Sequence, residues 1–417
     1  PDSPTPTPHH PPTVPTARGS PTVSLNARFV HSSRWLVDVF SSKTLVFEYT
    51  IQAGDTDTNG ISIDANSIQT NGGSIEDAAG NAATLTHNAV SDNGSFLVET
   101  TAPTATVALS GSTGAQNNTL NAGDTVSVTV TLDEAVTVDT AGGTPRVALD
   151  IGGSTEFADY VSGSGSNSLV FEYTIQAGDT DTNGISIDGN SIQTNGGSIE
   201  DAAGNAATLS HSAVSDNGSF LVDTTAPTAT VALSGSTGAQ NNTLNVGDTV
   251  TVTVTTSETV TVSGSPTVSL NVGGVQRDAI YDAGSSSGDT LVFEYTIQAG
   301  DTDTNGISID ANSIQTNGGN IEDAAGNAAT LTHNAVSDNG SFLVDTTAPT
   351  ATVALSGSTG AQNNTLNVGD TVTVTVTMSE TVTVSGSPTV SLNVGGVQRD
   401  AIYDAGSSSG DTLVFEY

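Results

Sequence analysis

The chain has 417 residues with 44 Asp and Glu against 7 Lys and Arg, a formal charge of -37 and no cysteine. Such a charge repels phosphate backbones and anionic lipid surfaces, so neither nucleic-acid binding nor membrane attachment is expected, and cations are the natural partners. Disulfides and cysteine-ligated zinc are impossible, and the length suggests roughly two to four domains.

A repeat dominates the chain, the architecture to test for first. The string TTAPTATVALSGSTGAQNNTLN begins at Thr100, Thr224 and Thr346. Residues 223–295 and 345–417 differ at one position, Thr256 against Met378. The repeat predicts a partial, N-terminally degraded unit over 1–100, complete units over 101–224 and 225–346, and a truncated unit over 347–417. The sequence begins and stops inside a repeat, so it is read as a fragment whose last unit exposes unpaired strand edges.

In chain order, the front comes first. Valines of the repeat are replaced by Pro4, Pro6 and Pro8, and NARFVHSSRWLVDVFSSKT departs from the repeat until the register returns at Leu45. Residues 1–43 hold four of the seven basic residues, three of the six histidines and the single Trp. Local divergence and a faulty nucleotide sequence both account for this block, so nothing functional is built on His9, His10 or Trp35.

The second unit shows the strand pattern. Thr104 to Leu109 alternates, and Asp124 to Leu132 places Val126, Val128 and Val130 on one face with Ser and Thr opposite, a period of two. Further strands are expected at Pro145 to Ile151, Leu169 to Ile175, Ile185 to Asp188, Ser191 to Thr194 and Phe220 to Asp223. Short strands between Gly, Asn and Asp clusters, with no helical period, predict an all-β fold: tandem antiparallel β-sandwiches of immunoglobulin-like architecture. The Thr-Thr-Ala-Pro junctions, each preceded by an acid (Glu99, Asp223, Asp345), are short and stiff because proline restricts itself and the residue before it, so the units are expected to form a rod.

AGDTDTNGISID, starting at Ala53, Ala177 and Ala299, is the strongest candidate for chemistry. Asp55, Asp57 and Asn59, then Asp179, Asp181 and Asn183, then Asp301, Asp303 and Asn305 put oxygen ligands on alternate residues. A glycine follows, and Ile61, Ile185 or Ile307 would lend a carbonyl, as in the first half of an EF-hand loop; calcium is the expected cofactor. The second half does not match, since Asn66, Asn190 and Asn312 stand where a bidentate Glu belongs. The alternative is a hairpin whose Asn-Gly pair turns tightly while the aspartates bond their own backbone. IEDAAGNAA, with Asp77, Asp201 and Asp323, reads as a glycine-dependent loop whose acids could still face a cation. The junction acids Asp223 and Asp345 either ligate an inter-domain ion or are solvated linker charges. His87, His211 and His333 have no nucleophile context and read as solvent-facing strand residues; no enzyme is expected.

Together, the GDTDTNGI loop, IEDAAGN and the VDTTAPT junction resemble the tandem bacterial immunoglobulin-like repeats of giant secreted adhesins, including the swimming-motility type. The resemblance covers nearly all of residues 44–417. It implies an extender of an extracellular or cell-surface protein, stiffened by calcium held at the loop aspartates and junction acids, with neighbouring repeats as partners and the adhesive target elsewhere. The competing expectation is a carbohydrate- or surface-binding module acting by avidity, disfavoured because few aromatics, such as Tyr160 or Tyr281, lie outside the apparent core.

Overall fold

The computed structural model describes residues 44–417; the expectations for residues 1–43 lie outside the described residues. All regular structure among the described residues is strand, and no helix is long and apolar enough to cross a membrane. The chain is an all-β array of antiparallel sandwiches, built from the period-two segments. Val250, Val252 and Val254 are each fully buried while the threonines between them are partly exposed, because β-branched side chains suit a pleated surface with one buried face.

Two compact units form. In the first, strands Ala105–Thr113, Thr125–Asp139, Ser166–Thr174, Ser154–Ser162, Arg146–Ile151 and Ile192–Gln193 lie side by side in that order, and Ser198–Glu200 joins the far end of Thr125–Asp139. Strand Ser154–Ser162 is absent from the sequence expectation, because its only buried side chain is Ala158 and it carries no apolar alternation. Strand Ile185 to Asp188 is expected but not formed. Ser186 and Ile187 make only isolated bridges, to Asp150 and Val214, and the positive φ of Asn190 breaks the extension shortly afterwards.

The second unit contains the complete third repeat. Its larger sheet orders Ala229–Thr237, Thr249–Thr256, Thr290–Thr296, Val275–Ser287, Thr267–Val272 and Ile314–Gln315. Opposite lie two small sheets, Thr243–Leu244 with Leu343–Asp345 and Thr302–Asp303, and Thr261–Val262 with Ile321–Glu322. Leu270, Phe293, Ile297, Ile307, Phe342 and Val344 belong to the one core of this sandwich. The fourth repeat supplies a five-stranded sheet, Ala351–Thr359, Thr371–Met378, Thr412–Glu416, Val397–Ser409 and Thr389–Val394, with a small buried cluster of Val374, Val376, Ala401 and Phe415.

Candidate metal centre

The GDTDTNG segment is short strand followed by tight turn. Thr302 and Asp303 pair with Asp345 and Val344. The Asp303 Oδ1 accepts the amides of Asn305 and Gly306 at 3.2 and 2.8 Å, and its Oδ2 accepts the Gly273 amide at 2.7 Å. Gly306 is obligatory: φ is +99°, and a Cβ there would stand 2.1 Å from the Asn339 carbonyl oxygen. Asp57 and Asp181 accept the same two turn amides in their copies. The Ile61 and Ile307 carbonyls accept the Asn93 and Asn339 amides, both at 3.2 Å. Asn59 and Asn305 donate through their side chains to Asp92 and Asp338, and the Ile185 side chain is buried.

The first aspartate of the loop takes a different set of donors from the second. Asp301 accepts the Tyr295 hydroxyl at 2.6 Å, the Gln298 amide at 2.9 Å and the Arg277 guanidinium at 2.8 Å. Burial opposes its ionisation, but the three donors outweigh it and hold the carboxyl below the ordinary aspartate range. Burial, followed by the bond to Asp301, pushes the Tyr295 phenol up to about 12. Asp55 is held low by the Gln52 amide and the Tyr49 hydroxyl, and Asp179 accepts the Gln176 amide at 2.8 Å. These loop carboxylates therefore accept nearby turn amides, and Asp301 and Asp303 also accept donors from other segments, Arg277 and Gly273.

The junction gathers carboxylates. Among the described residues, Asp223, Glu258 and Asp323 form the one group of three acids whose oxygens lie within 4.8 Å of one another. Asp223 ends strand Leu221–Asp223, Glu258 sits between Thr249–Thr256 and Thr261–Val262, and Asp323 opens the IEDAAGN turn. Asp323 is 4% exposed. Its Oδ1 accepts the amides of Ala325 and Asn327 and its Oδ2 the Asn327 side chain, whose amide also donates to the Asp223 carbonyl at 2.9 Å. The turn thus clamps the linker. Burial, then the charges of Asp223 and Asp323, raise the Glu258 carboxyl. The corresponding acids one repeat earlier, Glu99, Glu134 and Asp201, do not gather within that 4.8 Å, although their charges still act on one another. Burial and then Asp201, Glu99 and Asp133 raise Glu134, and Asn205 donates to the Glu99 carbonyl at 3.2 Å.

Of the residues singled out in the sequence, the structure brings Asp223 and Asp323 together. Asp345 caps the Thr347 amide at 2.9 Å. Glu258 was not singled out. The available signal was an acid in register at Glu134, Glu258 and Glu380, inside segments otherwise rich in Thr and Val. Each junction is also tied to its loop: the hydroxyls of Thr224 and Thr346 donate to the Asp179 and Asp301 carbonyls at 2.9 and 2.8 Å.

The histidines are not strand residues. His211 Nε2 lies 2.9 Å from the Ser191 amide that donates to it, with Nδ1 2.9 Å from the Ser212 carbonyl, and His333 repeats the arrangement with Ser313 and Asn334. An open groove of about 580 Å³ beside His333 is lined by small aliphatic side chains, Thr and Asn. Tyr160 and Tyr281 are half-buried against Phe171 and Phe293, with ring centroids 5.7 and 5.6 Å apart, so they act as sheet packing.

No family model matches the chain, and no curated protein does. Solved structures similar to parts of it include a tetra-tandem repeat in the extending region of a large adhesion protein, at 16% identity and a TM-score of 0.21, over 75% of this chain and 66% of that one. The chain therefore spans just under two thirds of that structure. A Corynebacterium diphtheriae protein described as membrane anchored matches at 10% identity and a TM-score of 0.17, over 75% and 78%. An E. coli alpha-2-macroglobulin matches at 10% identity and a TM-score of 0.15, over 75% and 20%.

Proposed function

We propose that the chain is a structural extender of a secreted or cell-surface bacterial adhesin, and that calcium ties its consecutive repeats at their junctions. The observation that carries the reading is the Asp223, Glu258 and Asp323 cluster, which draws one ligand from the end of one sequence repeat and two from the next. Three carboxylates so close repel one another unless a cation lies among them, and a hard divalent ion suits an all-oxygen set. Among the described residues the single ion pair is Arg277 with Asp301, so no basic side chain neutralises the cluster.

Calorimetry on the whole chain should find calcium sites of roughly 0.1–1 mM dissociation constant, in the range of extracellular modules. Glu258→Gln should remove one of them. Small-angle scattering should then show calcium narrowing the distribution of shapes, an effect that monovalent salt at equal ionic strength does not reproduce. Absence of binding at several millimolar calcium removes the metal. Sites lost with Asp303→Asn but kept with Glu258→Gln would move it to the GDTDTNG loop.

A further inference from the structure

We propose that the strings GAQNNTLN and IEDAAGN are the two halves of a metal-independent joint: the hairpin tip of one repeat docks on the turn of the repeat that follows. Both halves meet inside the second compact unit, which takes in residues 114–124 together with 218–417. The Asn117 side-chain amide donates to the Ala324 carbonyl at 2.9 Å, and that of Asn121 donates to the Ala325 carbonyl at 2.8 Å. The turn's own backbone bonds use the carbonyls of Asp323 and Asn327. The tip thus takes the two main-chain acceptors that the turn itself leaves over.

Shape agrees with the bonding. Ala325 is 2% exposed, and a Cβ on Gly326 would stand 2.8 Å from the Gln116 Cδ and 3.2 Å from the Asn121 Nδ2, so the tip packs directly on the turn backbone. Only short side chains leave room for that approach. The Ala-Ala-Gly of the motif therefore has a use beyond the positive φ of its glycine, +88°. The tip is also fixed to the strand that runs into the linker, since the Asn118 carbonyl accepts the Leu221 amide at 3.0 Å. The linker in turn is bonded to the following repeat twice, by Asn327 to the Asp223 carbonyl and by the Thr330 amide to the Pro227 carbonyl at 2.7 Å.

Both halves are preformed. Gln116 and Thr119 exchange backbone bonds around Asn117 and Asn118, whose φ of 51 and 66° suit a two-residue hairpin turn, and Gln240 and Thr243 repeat the exchange around Asn241 and Asn242 at 52 and 63°. Asp201 accepts the amides of Ala203 and Asn205 as Asp323 accepts those of Ala325 and Asn327, yet Ala203 is exposed. The turn therefore takes its shape without cover, and docking has little left to order. Side-chain amides on main-chain carbonyls need no cation. The joint is thus separate from the acid cluster and holds whether or not that cluster is loaded.

Hydrogen exchange on the whole chain in chelator tests the joint. Asn117→Gly with Asn121→Ala removes both donors while glycine tolerates the positive φ of residue 117, and exchange in 322–328 should quicken roughly tenfold, in keeping with the loss of two net hydrogen bonds. The same pair in the third repeat, Asn241→Gly with Asn245→Ala, perturbs an identical hairpin and should leave 322–328 unchanged. Ala325→Leu should act like the first pair, whereas Ala203→Leu, at the exposed equivalent, should leave 198–206 unchanged. Spin labels on Ala122→Cys and Asn334→Cys, in a chain otherwise free of cysteine, should give a narrow distance distribution that the first pair broadens. Exchange in 322–328 that ignores the loss of both donors, an equal response to the third-repeat pair, or a label distribution already broad before the donors are removed would each overturn the joint. With calcium chelated throughout, failure of the calcium reading would leave these outcomes untouched.

Discussion

The third and fourth repeats pose a controlled comparison, because residues 225–295 and 347–417 carry the same sequence but for one residue. Both lay down the same sheet with the same pairing, including the shift between Leu233 and Gly235 that recurs between Leu355 and Gly357. Their burial differs. Strand Ala229–Thr237 alternates inside and outside, while Ala351–Thr359 is exposed throughout. Strand pairing is therefore local to the first part of the repeat, whereas the core is made only when Ile297, Ile307, Ile309, Phe342 and Val344 arrive from the second part. The small strands follow the same rule. Thr243–Leu244 forms beside Leu343–Asp345, and at the equivalent place the fourth repeat has only the isolated bridge from Gln362 to Thr365.

The sharpest way to break this comparison is to remove one side chain from each copy. Leu270 is fully buried and Leu392 is not. Leu270→Ala should cost about 2–5 kcal/mol, through lost transfer energy and a residual cavity. Leu392→Ala should cost less than about 1 kcal/mol, the usual range for a side chain that leaves no cavity. Hydrogen exchange read separately on peptides of 225–346 and 347–417 measures both, which a melt of the whole array would not resolve. Equal effects would show that the fourth repeat is as well packed as the third.

The acid limb sharpens it further. Arg399 and Tyr417 reproduce Arg277 and Tyr295, but Asp301 belongs to the second part of the repeat. A carboxylate whose folded pKa is depressed contributes stability above its unfolded value, about 3.9, and loses it as pH falls through the folded value. Tyr295, raised to about 12, contributes below its ordinary value near 10 and loses that contribution as pH climbs towards 12. Protection of the third repeat should thus fall below about pH 4 and again above about pH 10. Asp301→Asn should cost about 1–3 kcal/mol near neutrality and flatten the acid limb. An unchanged acid limb would mean that Asp301 gains nothing from its three donors.

These differences also mark what the sequence could disclose. Alternation in DTVTVTVTT and LVFEYT made the long strands and their buried faces legible, because a period of two is a local signal. The turn function of Asp303 and Gly306 was legible as one of two alternatives, since Asn-Gly marks a tight turn whatever the preceding aspartate does. Glu258 was not legible as a partner of Asp223. Their approach depends on the IEDAAGN turn folding back on the linker through Asn327, and no short-range pattern encodes a contact of that separation. The same limit hid Thr119–Leu120 and Thr180–Asp181, which have no period of their own and exist only as pairing partners, whereas Ile192–Gln193 falls within the expected strand Ser191 to Thr194.

The finest test uses the single residue that differs. Thr256 is 4% exposed, and its hydroxyl donates to the Glu258 carbonyl at 2.6 Å and lies 3.1 Å from that of Asp289. It thereby ties the end of its strand to the loop that carries Glu258. Met378 has no hydroxyl, and it lies half-buried against the small core of the fourth repeat; its amide still reaches the Asp411 carbonyl at 2.7 Å, as the Thr256 amide reaches Asp289 at 2.8 Å. The backbone arrangement is thus common to both copies, and only the side-chain tie is special to the third. Thr256→Val keeps the shape and removes the tie, so it should cost about 1 kcal/mol, the net worth of one buried hydrogen bond. Met378→Thr should change the fourth repeat by less, because the apolar contact it loses offsets the bond it gains. If the cation reading holds, Thr256→Val should also loosen Glu258 and weaken calcium binding by a few fold without removing a site. A Thr256→Val chain with unchanged exchange in 255–262 would show that the loop is held by its backbone alone.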